Sequence, residues 1–172
     1  MCIRDSCVLF AFLYTTGPYP LSYNGWGDVL VIVFFGFVPV GGTYYVQALT
    51  WTSDTTVASL ICGLLIDTLL VVNNYRDREA DARSGKRTVI VRFGEKFGRY
   101  LYLMLGVAAS LLCFWFFFEG HLFAALLPLL YLIPHVLTWR RMVQIHSGKK
   151  LNSILGETSR NMLSLIHISE PT

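Results

Sequence analysis

Charge is what this sequence has least of for its size. Asp, Glu, Lys and Arg make up 15% of its 172 residues, against 54% hydrophobic and 15% aromatic. With a mean hydropathy of +0.52, there are too few polar groups to coat a soluble domain. Short alternations of apolar and polar residues are also missing; the apolar residues come in long uninterrupted blocks, as a bilayer solvent demands. Cysteine is sparse, and Cys2, Cys7, Cys62 and Cys113 show neither disulfide nor metal-ligand spacing. Cys62 and Cys113 fall inside apolar runs, where a thiol acts as a small hydrophobe. No signal peptide or internal repeat is legible.

Four blocks have the length and composition of membrane spans: Val29–Leu49, Val57–Val72, Leu101–Phe118 and Leu122–Trp139. At roughly 1.5 Å per residue, 18 to 21 residues cross about 30 Å of hydrocarbon. Each is expected to be helical, because lipid offers a backbone group no outside partner. The Cys7–Tyr14 run is too short to span and reads as the tail of a helix. Of the 14 Lys and Arg residues, 12 lie in Arg76–Arg99 and Arg140–Lys150. Between apolar blocks, such clusters read as solvated basic loops on one side of a membrane, here the cytoplasmic side, rather than as a nucleic-acid surface. The connections at 49–57 and 118–122 then face the opposite side, and the 17–28 connection faces the cytoplasm.

The stretch that carries chemistry is NNYRDREADARSGKRT, residues 73–88, where the second block leaves the bilayer. Asp77 and Asp81 are four apart and share one helical face. Asn74 lies within about 60° of both, and Asp67 falls on the same face two turns deeper. Like charges one turn apart repel unless a cation lies between them. Mg²⁺ suits that position, since it takes one or two carboxylates together with phosphate and water oxygens. Arg76, Arg83, Lys86 and Arg87 add cations able to clamp phosphate oxygens. An i,i+4 acid pair alone is a weak signal, and acid–base mixtures beyond a span are commonly just solvated.

This string, with VIVRFG after it, resembles the second aspartate-rich motif of the UbiA-type membrane prenyltransferases. It is most similar to the branch that prenylates 1,4-dihydroxy-2-naphthoate in menaquinone synthesis, which reads Asn-Asn-x-Arg-Asp, three residues, Asp, three residues, Gly-Lys-x-Thr. GPYPLSYNGWGD, VFFGFVPVGGTYYVQ and LNSILGETSRNML also resemble that branch. The resemblance covers about residues 7–163 and implies an all-α integral-membrane bundle of nine spans, present here in part. It implies that Asp77 and Asp81 are catalytic and bind Mg²⁺ with Asn73 and Asn74. Arg76, Lys86, Arg83 and Arg87 would then hold the diphosphate. The partners implied are a polyprenyl diphosphate, the dihydroxynaphthoate and the lipid of a bacterial inner membrane. One departure stands out: the family's first aspartate-rich motif, Asn-Asp-x-x-Asp, does not occur in these 172 residues. The polypeptide as written is therefore expected to lack activity by itself. Residues 1–6 and 164–172 read as peptides translated from adapter DNA, foreign to the natural protein.

Other residues invite weaker readings. Asp67 within a span is expected to hydrogen-bond a neighbouring helix. His135 beside Pro134 reads as a packed polar residue, and Phe114–Phe118 as lipid-facing or packing aromatics. Tyr44, Tyr45 and Gln47 are candidates for an acceptor pocket, and Asp28 for a helix cap or dipole partner. A CDP-alcohol phosphatidyltransferase would show an Asp-Gly-x-x-Ala-Arg pattern, which is absent. A transporter half would be expected to show repeats or broken midplane helices.

Overall fold

The computed structural model describes Tyr23 and residues 25–169, of which 165–169 by backbone alone. The Cys7–Tyr14 run, residues 1–6, residues 170–172 and most of the 17–28 connection lie outside the described residues. Every regular element among the described residues is helical: α1 Gly27–Ala48, α2 Ser53–Arg83, α3 Val89–Phe93, α4 Glu95–Phe118, α5 Leu122–Ile145 and α6 Leu151–Ser169. Four of these, α1, α2, α4 and α5, are long and apolar enough to cross a membrane.

The spans differ in detail from those the hydropathy suggests. The middle of α1, Ile32–Gly41, is wound as a π-helix. Pro39 gives no N–H to the ladder there, and Gly36 carries no Cβ to resist wider winding. The same glycine brings α1 close to α2. A Cβ on Gly63 would lie 2.9 Å from the Cα of Ile32, and one on Gly36 would strike the backbone of Ser59 and Gly63. Small residues facing each other let two helices approach in lipid, where dispersion rather than the hydrophobic effect holds them together.

Helix α2 is the spine. It runs 31 residues without a break, about 46 Å, so the acidic motif is a direct continuation of the span rather than a loop after it. Its start is fixed by Thr52, whose Oγ1 accepts from the Thr55 amide at 3.2 Å, and by the Trp51 indole donating to Thr56 Oγ1 at 2.8 Å. Helix α4 begins at Glu95 rather than in the apolar block, and it is interrupted at Cys113–Phe114 before a last turn, Trp115–Phe118. Helix α5 is likewise interrupted before Pro128, which occupies its favoured place at a first helical position.

The core lies where α2, α4, α5 and α6 meet. Tyr75, Tyr102, Tyr131, Val71, Val72, Met142, Leu151 and Ile154 are buried there. Polar groups inside it are matched: Tyr102 Oη and Thr158 Oγ1 are 3.0 Å apart, and Asn161 donates to Thr138 Oγ1 at 2.9 Å. His135 is fully buried, stacked between Tyr102 and Tyr131, and its ring nitrogens meet the Tyr131 hydroxyl and the Tyr102 carbonyl. It is a packed residue. Much of the outer surface is apolar; Phe35, Val46, Phe118, Phe123 and Ile133 are all more than half exposed, as lipid-facing side chains are.

The two ends of the bundle differ in charge. At one end the Trp115 indole donates to Asp54 Oδ1 at 2.7 Å, tying α4 to the start of α2. At the other end the two basic stretches come together, since Arg78 donates to the His146 carbonyl and Arg76 to Asn152. The expectation of two solvated basic loops therefore needs correction. Arg76, Arg78 and Arg99 stand on helices, partly buried and paired, because α2 runs on to Arg83, α4 begins at Glu95, and the two pack on each other there.

Candidate functional site

The acidic face of α2 survives into three dimensions because the helix does not break after Val72. Asp67 and Asn74 are buried on it, Asp77 is partly exposed, and Asp81 is more deeply covered, with side-chain exposures of 39% and 13% for the last two. Each acid meets a different cation. The Arg76 guanidinium holds Asp77 with two hydrogen bonds, Nε to Oδ1 at 2.7 Å and Nη2 to Oδ2 at 2.6 Å. The same side chain donates to Asn73 Oδ1 at 2.6 Å and to Asn152 Oδ1 at 3.0 Å. A planar five-donor head can make these four hydrogen bonds, one more than the three donors of a lysine allow.

Lys86 reaches Asp81 by a turn that the sequence encodes locally. Helix α2 stops at Ser84, and Gly85 takes φ +77°, a conformation that costs glycine little. The chain then reverses, the Lys86 amide bonds the Asp81 carbonyl at 2.9 Å, and Nζ comes within 3.4 Å of Asp81 Oδ1. Two residues on, Thr88 is buried and caps α3 by accepting from the Val91 amide at 3.3 Å. Gly, Lys and Thr in this spacing thus form a helix stop, a returning cation and a helix start.

Two carboxylate oxygens are left over among the described residues. Asp81 Oδ2 and Asp67 Oδ1 are buried without a hydrogen-bond partner. For Asp67 this overturns the expected bond to a neighbouring helix. A polar cavity of about 80 Å³ opens beside this face, between α1 and α2, lined by Asp28, Asn73, Asn74, Lys86 and Thr88. Asp28 stands in the first turn of α1; the cap position before it belongs to Trp26. A second, apolar cavity of about 370 Å³ lies toward the other end of α2, with Ile61, Leu65 and Ile66 of α2 on one wall and Val40, Phe116 and Met162 on others.

Among the remaining candidates, Arg83 and Arg87 do not join the cluster. Arg83 is exposed and folds back to the Glu79 carbonyl of its own helix, because two residues beyond Asp81 is 200° around the helix. Arg87 is exposed, and its backbone amide bonds the Tyr23 carbonyl at 2.8 Å. Tyr44, Tyr45 and Gln47 are exposed near the end of α1 remote from Asp77. Sequence reasoning passed over Asn152, which touches Arg76, and a cluster around Glu95. There Tyr75, Arg78, Arg99 and His146 all converge on one carboxylate.

No group of three or more His, Cys, Asp or Glu side chains that could hold a metal occurs among the described residues. A hard cation does not need one. Asp77, Asp81 and the amide oxygens of Asn73 and Asn74 are oxygen donors of the type Mg²⁺ takes, with phosphate and water completing its shell. The orphaned Asp81 oxygen is the observation that fits such a ligand.

The 1,4-dihydroxy-2-naphthoate octaprenyltransferase of Haemophilus influenzae is 41% identical over 131 residues, 72% of this chain and 42% of that protein. The proteins of the same description from Escherichia coli and Mycobacterium leprae are 40% and 43% identical, over 62% and 64% of this chain and 34% and 37% of theirs. The chain thus spans less than half the length of these curated relatives. No solved structure matches it. Residues 6–161 match the UbiA prenyltransferase family, and with four helices long and apolar enough to cross a membrane, the chain belongs to that family of integral membrane proteins.

Proposed function

We propose that the protein carrying this chain transfers a polyprenyl chain from its diphosphate to 1,4-dihydroxy-2-naphthoate, with loss of diphosphate and the carboxyl group, in menaquinone biosynthesis. The observation that carries this is the face of α2 on which Asp77 and Asp81, one helical turn apart, stand with Lys86 returned onto Asp81 and one Asp81 oxygen unused. The names and identities of the relatives support the acceptor.

In this reading Asp77, Asp81, Asn73 and Asn74 hold Mg²⁺, which when bound offsets the negative charge of the departing diphosphate. Arg76 and Lys86 bind phosphate oxygens. Arg76 is paired with the partly exposed Asp77, a pair worth about 1 kcal/mol or less, and Lys86 meets Asp81 only at 3.4 Å, so each cation is able to exchange its carboxylate for phosphate. Arg83 and Arg87 contribute at most long-range attraction. The acidic motif continues a membrane span without interruption, so the diphosphate head stays at the aqueous edge while the isoprenoid tail runs back along α2. The 370 Å³ apolar cavity beside Leu65 and Ile66 lies in that direction and has the size of a small-ligand pocket. Apolar walls exclude water that would quench an allylic cation. The basic end faces the cytoplasm of a bacterial inner membrane, following the positive-inside rule.

The test is a membrane assay of the full-length protein with polyprenyl diphosphate, Mg²⁺ and 1,4-dihydroxy-2-naphthoate, read by mass spectrometry. Prenylated naphthoquinol is expected. Product only with 4-hydroxybenzoate or homogentisate would reassign the acceptor, and no prenylated product with any of the three would overturn the reading.

A further inference from the structure

The outer face of α4 ends in a feature that prenyl transfer does not use. Phe97, Tyr100, Met104 and Leu111 are exposed, and at 100° per residue they fall within about 60° of one another around the helix. They form an apolar stripe of the kind that faces acyl chains, and it runs to the basic end of the bundle. There the ring of Phe93, from the short helix α3, packs on that of Phe97 with centroids 5.0 Å apart. Gly94, at φ +87°, makes the turn between the two helices that lets these rings meet.

Beside the aromatic pair lies a cleft of about 490 Å³, lined by Phe93, Gly94, Glu95, Lys96, Arg99 and His146. Its charges do not balance. Glu95 is the one carboxylate on its wall, and Arg99, His146 and, from α2, Arg78 already share it. Lys96 stands outside that network; it is exposed, and its ammonium has no hydrogen-bond or ion-pair partner among the described residues. Lys96 and Arg99 are three residues apart and so are neighbours on the surface of α4. The cleft therefore holds surplus positive charge where the apolar stripe ends.

The substrate diphosphate belongs elsewhere, since Tyr75, which donates to Glu95, is about 160° around α2 from Asp77. A soluble phosphate would leave the stripe unused, and a zwitterionic headgroup would bring a cation of its own into the surplus. An amphiphile with a net negative head matches both parts. Basic pockets between membrane helices bind such heads, and tyrosine is favoured at their level in the bilayer.

We propose that the cleft at the start of α4 binds an anionic phospholipid of the surrounding membrane, its phosphate on Lys96 and the Arg99–His146 edge and its acyl chains along Tyr100, Met104 and Leu111. The lipid would join α3, α4 and the end of α5 on the side of α2 away from the diphosphate. The site depends on neither the acceptor nor the metal.

The experiment titrates purified full-length protein in detergent with phosphatidylglycerol and phosphatidylcholine of identical acyl chains, counting bound lipids by native mass spectrometry. The wild type is expected to hold one phosphatidylglycerol about fivefold or more tighter than phosphatidylcholine, the factor that one lysine contributes beside an anionic headgroup. Lys96→Gln is expected to lose this preference and Lys96→Arg to keep it. Lys149→Gln, which removes an exposed lysine between α5 and α6 outside the cleft, should leave it unchanged. Prenyl transfer by Lys96→Gln is expected to stay within about twofold of wild type. Equal affinity of the wild type for the two lipids, or a preference that survives Lys96→Gln, would overturn the proposal. So would an equal loss in Lys149→Gln or Lys96→Arg, a collapse of prenyl transfer in Lys96→Gln, or displacement of the phosphatidylglycerol by excess inorganic phosphate. None of the lipid-binding outcomes bears on the prenyl-transfer reading, which the product assay decides.

Discussion

Two charged clusters share the basic end of the bundle, built from similar residues and held by the same helix, yet they are finished to different degrees. Around Glu95 everything is paired. The Tyr75 hydroxyl donates to it at 2.9 Å, Arg78 lies 3.5 Å from it, His146 Nδ1 lies 2.6 Å from it, and Arg99 completes the ring. The Arg78 guanidinium also lies over the Tyr75 ring at 4.6 Å, and His146 keeps a positive φ of 62° under these contacts. A few residues around α2, the Asp77–Asp81 cluster leaves one oxygen each of Asp81 and Asp67 without a partner among the described residues. The first cluster joins α2, α4 and the end of α5. The second has bonding capacity left for something else. Satisfied networks stabilise, whereas unsatisfied buried groups cost about 1–3 kcal/mol each unless a ligand meets them.

Substitutions at the two clusters should therefore behave oppositely. In the full-length protein, Asp81→Ala or Asp77→Ala is expected to lower prenyl transfer about 100-fold or more, with membrane insertion and melting temperature nearly unchanged. A large fall in melting temperature with preserved turnover would invert the comparison. Chelating divalent ions is expected to stop turnover and to abolish the melting shift caused by the prenyl diphosphate, both returning with Mg²⁺; turnover that persists in chelator would remove the metal from the account. Glu95→Gln leaves Arg78, Arg99 and His146 crowded without their shared anion. It should destabilise by about 1–2 kcal/mol, moderated by the partial exposure of the group, with kcat within a few-fold of wild type. Smallest is Gly85→Ala, which asks a Cβ to accept φ +77° at roughly 1 kcal/mol. It should raise the KM for the diphosphate more than it lowers stability, because what it disturbs is the return of Lys86. Thermal melting alongside steady-state kinetics separates all four.

The helix face bearing Asn74, Asp77 and Asp81 was legible because every residue on it belongs to one unbroken helix, and helical spacing is a local property. The spans were legible for a similar reason, since an apolar block of the right length has few alternatives in lipid. Their limits were less so. Lys96 and Arg99 read as loop charges, yet α4 carries them, because it begins at Glu95 and packs on α2 there. Arg83 shows the opposite failure: composition put it beside the acids, and the helical angle turned it away.

Local spacing and the need to satisfy backbone groups inside a bilayer were enough to determine an all-helical membrane chain with one acidic face at a span exit, because both act within a single segment. Which groups meet across segments was decided by the tertiary structure alone. Gly36 packing on Gly63 sets how closely α1 approaches α2, and that approach places Asp28, 46 residues from Asn74 in sequence, across a small cavity from it. The packing of α2, α4 and the end of α5 satisfies Glu95 several times over, while Asp67 and Asp81 each keep an unpaired oxygen among the described residues. Hydrogen-bond satisfaction depends on what lies within about 3 Å in space, and no pattern along one helix specifies that.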